Sequence, residues 1–344
     1  MRILVHEFVS GGGLSGQPLP PTLAREGAAM LGALLADLAA VPGLEIVATT
    51  DPRSRPCLPP GVEAVPLPLT RAAATLRRLI RAADAVWLIA PETDGILARL
   101  AAQVEAEGRR LLGPGAAAIR AAADKATLRR RLAAAGVAAL PARRLPRAAD
   151  PRSMAARIEY PVVVKPRRGA GCAGVGLARD AAEFAKAVAL ARAAGAGALL
   201  VQPFLPGVAA SVSLIGDGSR AFALAVNAQH IRVGLPFAYD GGATPLEHPQ
   251  AARAVECALA AYRALPGLVG YVGMDLVLTE AGPVITDVNP RLTTAYLGVR
   301  AALGVNIAAL ALEACLGRLP SPPGPPRRRV RFTADGAVTC EEVR

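Results

Sequence analysis

In the first third of the chain, short unbroken apolar runs alternate with longer stretches in which apolar residues recur at helical spacing. Arg2 to Phe8 reads as a buried strand, Thr22 to Ala40 as a helix and Leu44 to Thr50 as a strand. A helix near Thr70 to Ala82 and a strand at Ala85 to Ala90 follow. This alternation predicts a parallel, doubly wound α/β sheet ending near Gly113-Pro114-Gly115. Pro91-Glu92-Thr93-Asp94-Gly95 then falls at the carboxyl end of a strand, where open sheets of this kind hold ligands.

Beyond residue 114 the texture changes. Ala116 to Ala135 reads as two helices broken at Asp124-Lys125, where an aspartate can cap a new helix start. Strands are expected at Tyr160 to Pro166 and Ala198 to Val201, with a glycine-rich turn at Arg167 to Gly176 and a helix at Ala181 to Ala194. Ser211 to Ile215 and Arg220 to Val226 read as a hairpin around Gly216-Asp217-Gly218. Gly234 to Pro249 reads as a long loop whose Gly241 and Gly242 have the character of lid hinges. A helix at Pro249 to Leu265 follows, then the strands Gly270 to Leu278 and Pro283 to Val288, and a final helix at Val305 to Leu316. Residues 321–344 read as a mobile Pro/Arg-rich tail. The expected division is 1–113, 114–320 and 321–344.

Composition narrows the function classes. A 53% hydrophobic chain of 344 residues is a folded protein, and no run approaches the roughly 20 apolar residues of a membrane helix. The amino terminus lacks the apolar core of a signal peptide, so a cytoplasmic protein without a membrane partner is expected. Cys57, Cys172, Cys257, Cys315 and Cys340 show no metal-binding spacing and are expected as reduced thiols. The net charge of +12 comes with a strong bias to arginine and alanine, few aromatic residues and three histidines. That composition argues against a nucleic-acid partner, while a positive field still favours anionic ligands such as nucleotide phosphates. Small-molecule partners are the expectation, and a homodimer stays open.

Two constellations carry chemistry. Gly273-Met274-Asp275 lies on one strand, and twelve positions after Asp275 comes Asp287-Val288-Asn289-Pro290-Arg291 on the next. Asp287 and Asn289 share a face at period two, so paired strands can aim Asp275, Asp287 and Asn289 at one point. Hard oxygen ligands of this kind suit magnesium; the alternative is a hairpin whose polar residues make turn hydrogen bonds. The second constellation is Lys165, at the end of Val162-Val163-Val164, followed by a loop containing Gly169, Gly171 and Gly174. Backbone amides, a point charge and glycines that allow close approach make a phosphate cradle, although the loop fits neither a Walker A nor a Rossmann pattern.

These segments, with Asp124-Lys125 and Val201-Gln202-Pro203-Phe204-Leu205 between them, occur in an order and spacing that resemble the ATP-grasp superfamily across roughly Leu111 to Leu316. Arg2 to Leu112 resembles the Rossmann-like domain that precedes it there. The resemblance implies an ATP-grasp fold with a pre-ATP-grasp domain, α+β ATP lobes, and ATP with Mg2+ (or Mn2+) as cofactors. By resemblance, Lys125 and Lys165 reach the phosphates, the Gly169 to Gly174 loop covers them, and Gln202, Pro203, Phe204 and Leu205 form the adenine hinge. Val208, Ala209 and Ala210 stand where the family commonly has a ribose-binding acid, and Asp287 stands where it usually has Glu.

Val5-His6-Glu7-Phe8-Val9-Ser10-Gly11-Gly12-Gly13, Ala90-Pro91-Glu92-Thr93-Asp94-Gly95 and Asn289-Pro290-Arg291-Leu292-Thr293-Thr294-Ala295-Tyr296 further resemble the tyramine–glutamate ligase group of methanofuran biosynthesis. That implies an acid–amine ligase working through an acyl phosphate, joining glutamate to tyramine, tyrosine or a similar amine. Arg291 is the expected catalytic cation. Ser10, Gly11 and Gly12 are candidates for a substrate carboxylate and Glu92 for an ammonium, with Asn227 and Arg232 nearby. Thr293 either binds substrate or caps a turn, and His6 either adjoins the substrate or is a hydrogen-bonded strand-end histidine. A small-molecule kinase and a non-catalytic nucleotide-binding module are the alternatives.

Overall fold

The computed structural model describes residues 1–54, 56 and 58–341; the expectation for Cys57 lies outside them. The first domain is the predicted open sheet. β1 (Arg2–Glu7), β2 (Glu45–Thr50), β3 (Val62–Pro66), β4 (Ala85–Ile89) and β5 (Arg110–Leu111) run parallel in the order β3-β2-β1-β4-β5. The short strands β1 and β4 are buried on both faces, which accounts for their unbroken apolar runs. α1 (Pro21–Ala39) covers one face; α2 (Ala72–Ala82) and α3 (Ile96–Ala106) cover the other. α4 (Ala116–Ala123) belongs here too, because Ala116 and Ile119 pack into the α2–α3 core. The first domain therefore extends past the expected boundary at 113, to the break before α5 (Lys125–Ala134). Asp124 makes that break by accepting from the amides of Ala126 and Thr127.

The small lobe is an antiparallel sheet of order β6-β9-β7-β8: β6 (Arg143–Leu145), β7 (Val162–Pro166), β8 (Gly176–Ala178) and β9 (Leu199–Pro203). Two helices back it, α7 (Ala181–Ala193) through Phe184, Ala187 and Val188 and α6 (Pro151–Ala155) through Met154 and Ala155. The large lobe is a seven-stranded antiparallel sheet of order β14-β13-β10-β11-β12-β15-β16. Its strands are β10 (Val208–Asp217), β11 (Ala221–Arg232), β12 (Ala238–Thr244), β13 (Val269–Thr279), β14 (Gly282–Asn289), β15 (Arg329–Thr333) and β16 (Val338–Glu341). α8 (Ala251–Arg263) packs on one face. α9 (Ala295–Leu303) and α10 (Ile307–Cys315) pack on the other, sharing a core with α1.

Two expectations are corrected here. Residues 329–341 are no mobile tail: β15 pairs with β12, and Val330 and Phe332 are buried. For the same reason Gly234 to Pro249 holds no glycine-hinged lid. A Cβ on Gly241 would lie 2.1 Å from the Phe332 carbonyl oxygen, and one on Gly242 would lie 2.2 Å from that of Ala228. The glycines let a strand from the end of the chain approach closely, a pairing that local sequence cannot announce. No single helix among the described residues is long and apolar enough to cross a membrane; α9 and α10 together are apolar enough but meet at a 109° bend.

Candidate active site

A cavity of about 420 Å3 lies between the two lobes and reaches the first domain at α1. One end, the candidate phosphate end, is built by strand pairing. β13 and β14 set Asp275 opposite Asp287 and Gly273 opposite Asn289, with a bulge after Asp275. Asn289 donates to Asp275 at 2.9 Å, and Gln229, on β11, donates to the other oxygen of the same carboxylate at 2.8 Å. Burial and the neighbouring Asp287 push the Asp275 carboxyl up to about 6. The expected three ligands are thus together, and Gln229 joins them two positions along β11 from Asn227.

Two lysines enter from different elements. The Lys125 Nζ, at the start of α5, lies 2.6 Å from Asp287 and 3.2 Å from the carbonyl of Gly169. The Lys165 Nζ, at the end of β7, donates to the Thr286 carbonyl at 3.3 Å. Burial, with Lys125 close by, pushes the Lys165 ammonium down to about 8. The loop after β7 is anchored at its root, because Arg167 and Arg168 both pair with the buried carboxylate of Asp124, at 2.7 and 3.2 Å. Gly171 and Gly174 both have positive φ, and at Gly174 a Cβ would press on Pro166 and α7. Gln202, Pro203, Phe204 and Leu205 line another wall, and of Val208, Ala209 and Ala210 it is Ala209 that lines the cavity, so that stretch brings no acid to it.

The donor set fits a divalent cation. Asp275, Asp287 and Asn289 offer only hard oxygens to a metal, and a carboxyl held near 6 by burial and a like charge is stabilised when a cation arrives. Lys125 and Lys165 place two cationic groups beside it.

The substrate end departs from expectation. The Ser10 amide and hydroxyl both bond to Glu7, at 2.5 and 2.6 Å, and the Gly13 amide bonds to the Phe8 carbonyl at 2.8 Å. Gly11 would clash with the Glu7 carbonyl and Gly12 with Leu67 if either carried a Cβ. Ser10, Gly11 and Gly12 form a packed turn that does not line the cavity. Glu7, its centre, is buried with its carboxyl pushed up by desolvation, against an α1 backbone opened by Gly27. His6 is a core histidine: Nδ1 lies 2.7 Å from the Thr49 hydroxyl, and burial pushes it down to about 4.

Glu92 is likewise spoken for, gripping Arg291 at 2.9 and 3.1 Å. Asn227 is wholly buried, bonded to Ser211, Ser213 and Thr244 behind the cavity floor. Arg232 sits on the surface, paired with Asp240 at 2.7 Å. Thr293 and Arg291 do line the cavity. Tyr296 faces away from it, bonding Asp37 of α1.

The carboxylate the sequence reading passed over is Glu26, on α1. It is half-buried, lines the substrate end, and accepts from the Thr294 hydroxyl at 2.5 Å. Tyr239 on β12 lies near it. Glu26 sits in an ordinary amphipathic helix, with no local signal to single it out.

Two lobes enclosing a cavity with paired lysines and strand-borne carboxylates, behind a parallel-sheet domain, define a nucleotide-binding architecture. Residues 122–295 match the ATP-grasp domain family and residues 44–119 the pre ATP-grasp 3 domain, so this chain belongs to the ATP-grasp family. It is 30% identical over 250 residues to a D-alanine–D-alanine ligase of Gloeobacter violaceus, covering 67% of this chain and 80% of that protein. It is 34% identical over 101 residues to the tyramine–L-glutamate ligase of Methanocaldococcus jannaschii, covering 29% of this chain and 32% of that protein. The chain spans about a third of the length of that ligase and 39% of an uncharacterized Sinorhizobium fredii protein to which it is 32% identical, a match over 53% of this chain. Among solved structures, an Archaeoglobus fulgidus protein assigned to the ATP-grasp superfamily superposes with a TM-score of 0.71 at 23% identity, covering 96% of this chain and 92% of that one. An L-amino acid ligase from Bacillus licheniformis gives 0.68 at 18% identity, covering 96% and 79%. At these identities the structural likeness speaks to the fold alone.

Proposed function

We propose that this protein is an ATP-dependent carboxylate–amine ligase. The observation that carries the reading is the convergence of Lys125 and Lys165, from different elements, on the Thr286–Asp287 segment beside half-buried Asp275. In this reading the lysines and the glycine loop hold the ATP phosphates, Gln202 to Leu205 hold adenine, and Asp275, Asp287 and Asn289 hold Mg2+ or Mn2+. The metal would neutralise charge on the transferring phosphoryl group.

The carboxylate oxygen of the acid forms a bond to the γ-phosphorus as the bond to the bridging oxygen breaks, releasing ADP. The amine nitrogen then bonds to the acyl carbon, inorganic phosphate leaves, and the amine surrenders its proton to solvent. Arg291 steadies the oxygens that gain charge in both steps, and alignment of two bound substrates supplies much of the acceleration. No side chain is needed as a covalent nucleophile.

Glu26, with Thr294 and Tyr239 around it, is the carboxylate suited to an ammonium group of the acid or to the incoming amine. The similarity to tyramine–L-glutamate ligases favours glutamate as the acid and tyramine, tyrosine or a related aromatic amine as acceptor, in methanofuran-type cofactor assembly. The test is ADP release from ATP and Mg2+ over a matrix of acids and amines. Release requiring both partners supports a ligase; glutamate silent with every amine overturns the narrower assignment; release with a single acceptor turns the reading into a kinase.

A further inference from the structure

We propose that Glu92 is a positioning residue that fixes the orientation of Arg291, and that it reads no substrate itself; this rests on the ligase reading above. The two side chains are 199 positions apart in sequence, one in each major domain, and are 3% and 12% exposed. A guanidinium carries five N–H donors. Nε and Nη2 each give one to Glu92, at 2.9 and 3.1 Å, and Nη1 gives one to the Leu292 carbonyl at 3.0 Å. One donor remains on each terminal nitrogen. Arg291 lines the cavity and Glu92 does not, so the face presented to ligands is the arginine's remaining fork. A fork held in plane grips two oxygens of one tetrahedral anion, the shape of a phosphoryl group.

Glu92 is well placed to act as a fixed mount. Its own carbonyl accepts from the Gly95 amide at 3.0 Å, and the Pro91 carbonyl accepts from Leu97 at 3.2 Å. Asp94 and Gly95, both at positive φ, close the loop tightly onto the start of α3. The mount is therefore part of the first domain, and Arg291, on the large lobe, is set by a residue of that separate domain. The next residue, Thr93, accepts from the Ala170 amide in the glycine loop at 3.3 Å, so the same turn also touches the ATP cover.

The expected effect separates geometry from charge. Removing the Glu92 carboxylate while Arg291 stays in place raises the local positive potential and tightens anion binding. Releasing Arg291 from its plane does the opposite. The experiment compares the full-length protein with Glu92→Ala and Glu92→Gln. It measures kcat and KM for each substrate, and separately the affinity for inorganic phosphate in the presence of MgADP. We expect kcat to fall about 10–100-fold in Glu92→Ala and less in Glu92→Gln, with KM for the amine unchanged. Phosphate affinity should weaken about tenfold in Glu92→Ala, while MgADP affinity is retained. Phosphate binding that strengthens or stays level overturns the proposal, as does a rise in amine KM alone, which would make Glu92 the ammonium receptor. Loss of thermal stability with wild-type activity per folded molecule overturns it as well. Should no acid–amine pair turn over, the ligase reading fails, and the phosphate measurement still decides the role of Glu92.

Discussion

The two ends of the cavity are built differently. At the phosphate end the charged groups sit on paired strands and a helix start, and their partners stand close in the fold: Asp275 opposite Asp287, and Lys125 against Asp287. The groups are under electrostatic tension, with the Asp275 carboxyl pushed up to about 6 and the Lys165 ammonium down to about 8. On the proposed reading, such an arrangement relaxes when metal and phosphates bind. The charged groups expected at the substrate end are mostly satisfied away from the cavity: Glu7 by the Ser10 turn, Glu92 by Arg291, and Arg232 on the surface by Asp240. There Glu26 remains as the carboxylate facing the cavity. The shifted groups at the first end face the cavity, whereas the shifted groups of the scaffold, Glu7 and His6, are packed away from it.

The largest effect that would break this contrast lies at the phosphate end. Asp287→Ala removes a proposed metal ligand and the partner of Lys125, and ADP release is expected to fall about a thousandfold, roughly 4 kcal/mol. A loss of less than tenfold would mean that the carboxylate is structural. Next comes the clamp joining the domains, where Asp37 accepts from Tyr296 at 2.5 Å and from Arg300 at 2.6 Å. Asp37→Ala strands the Tyr296 hydroxyl, and chemical denaturation should show a loss of about 2–3 kcal/mol with ATP affinity retained.

The buried His6 sharpens the same contrast on the scaffold side. Its folded pKa of about 4 lies below the ordinary 6.5, so the unfolded chain takes up the proton first as pH falls. The stability it permits is complete above about pH 6.5 and is lost on acidification through pH 4. Between pH 7 and 5 this amounts to about 2 kcal/mol, read from urea midpoints, and His6→Leu should flatten that step. Smallest is Glu26→Gln, expected to raise KM for the amino-bearing substrate about tenfold, about 1.4 kcal/mol, without changing KM for ATP. A shift in the ATP value instead would move Glu26 out of the substrate subsite.

Legibility from sequence follows the same division. Asp275, Asp287 and Asn289 were readable because strand alternation at period two fixes which side chains share a face, and Lys165 because its apolar run ends in a glycine loop. Asp124 was readable as a cap for local reasons. Glu92 and Ser10 were seen as chemically able, but their partners are set by tertiary contact, over 199 positions for Glu92 and Arg291. Asn227 and Gln229 lie on one strand two positions apart, and only the depth of the sheet decides which is walled in and which meets Asp275. The C-terminal strands were hidden because their polar, proline-rich lead carries no hairpin signal toward β12.

The most direct measurement follows oxygen from the acid. With the acid labelled by 18O in its carboxylate, a ligase acting through an acyl phosphate transfers one labelled oxygen to the inorganic phosphate released with each amide formed. Phosphate free of label while amide accumulates would contradict carboxylate activation in this cavity.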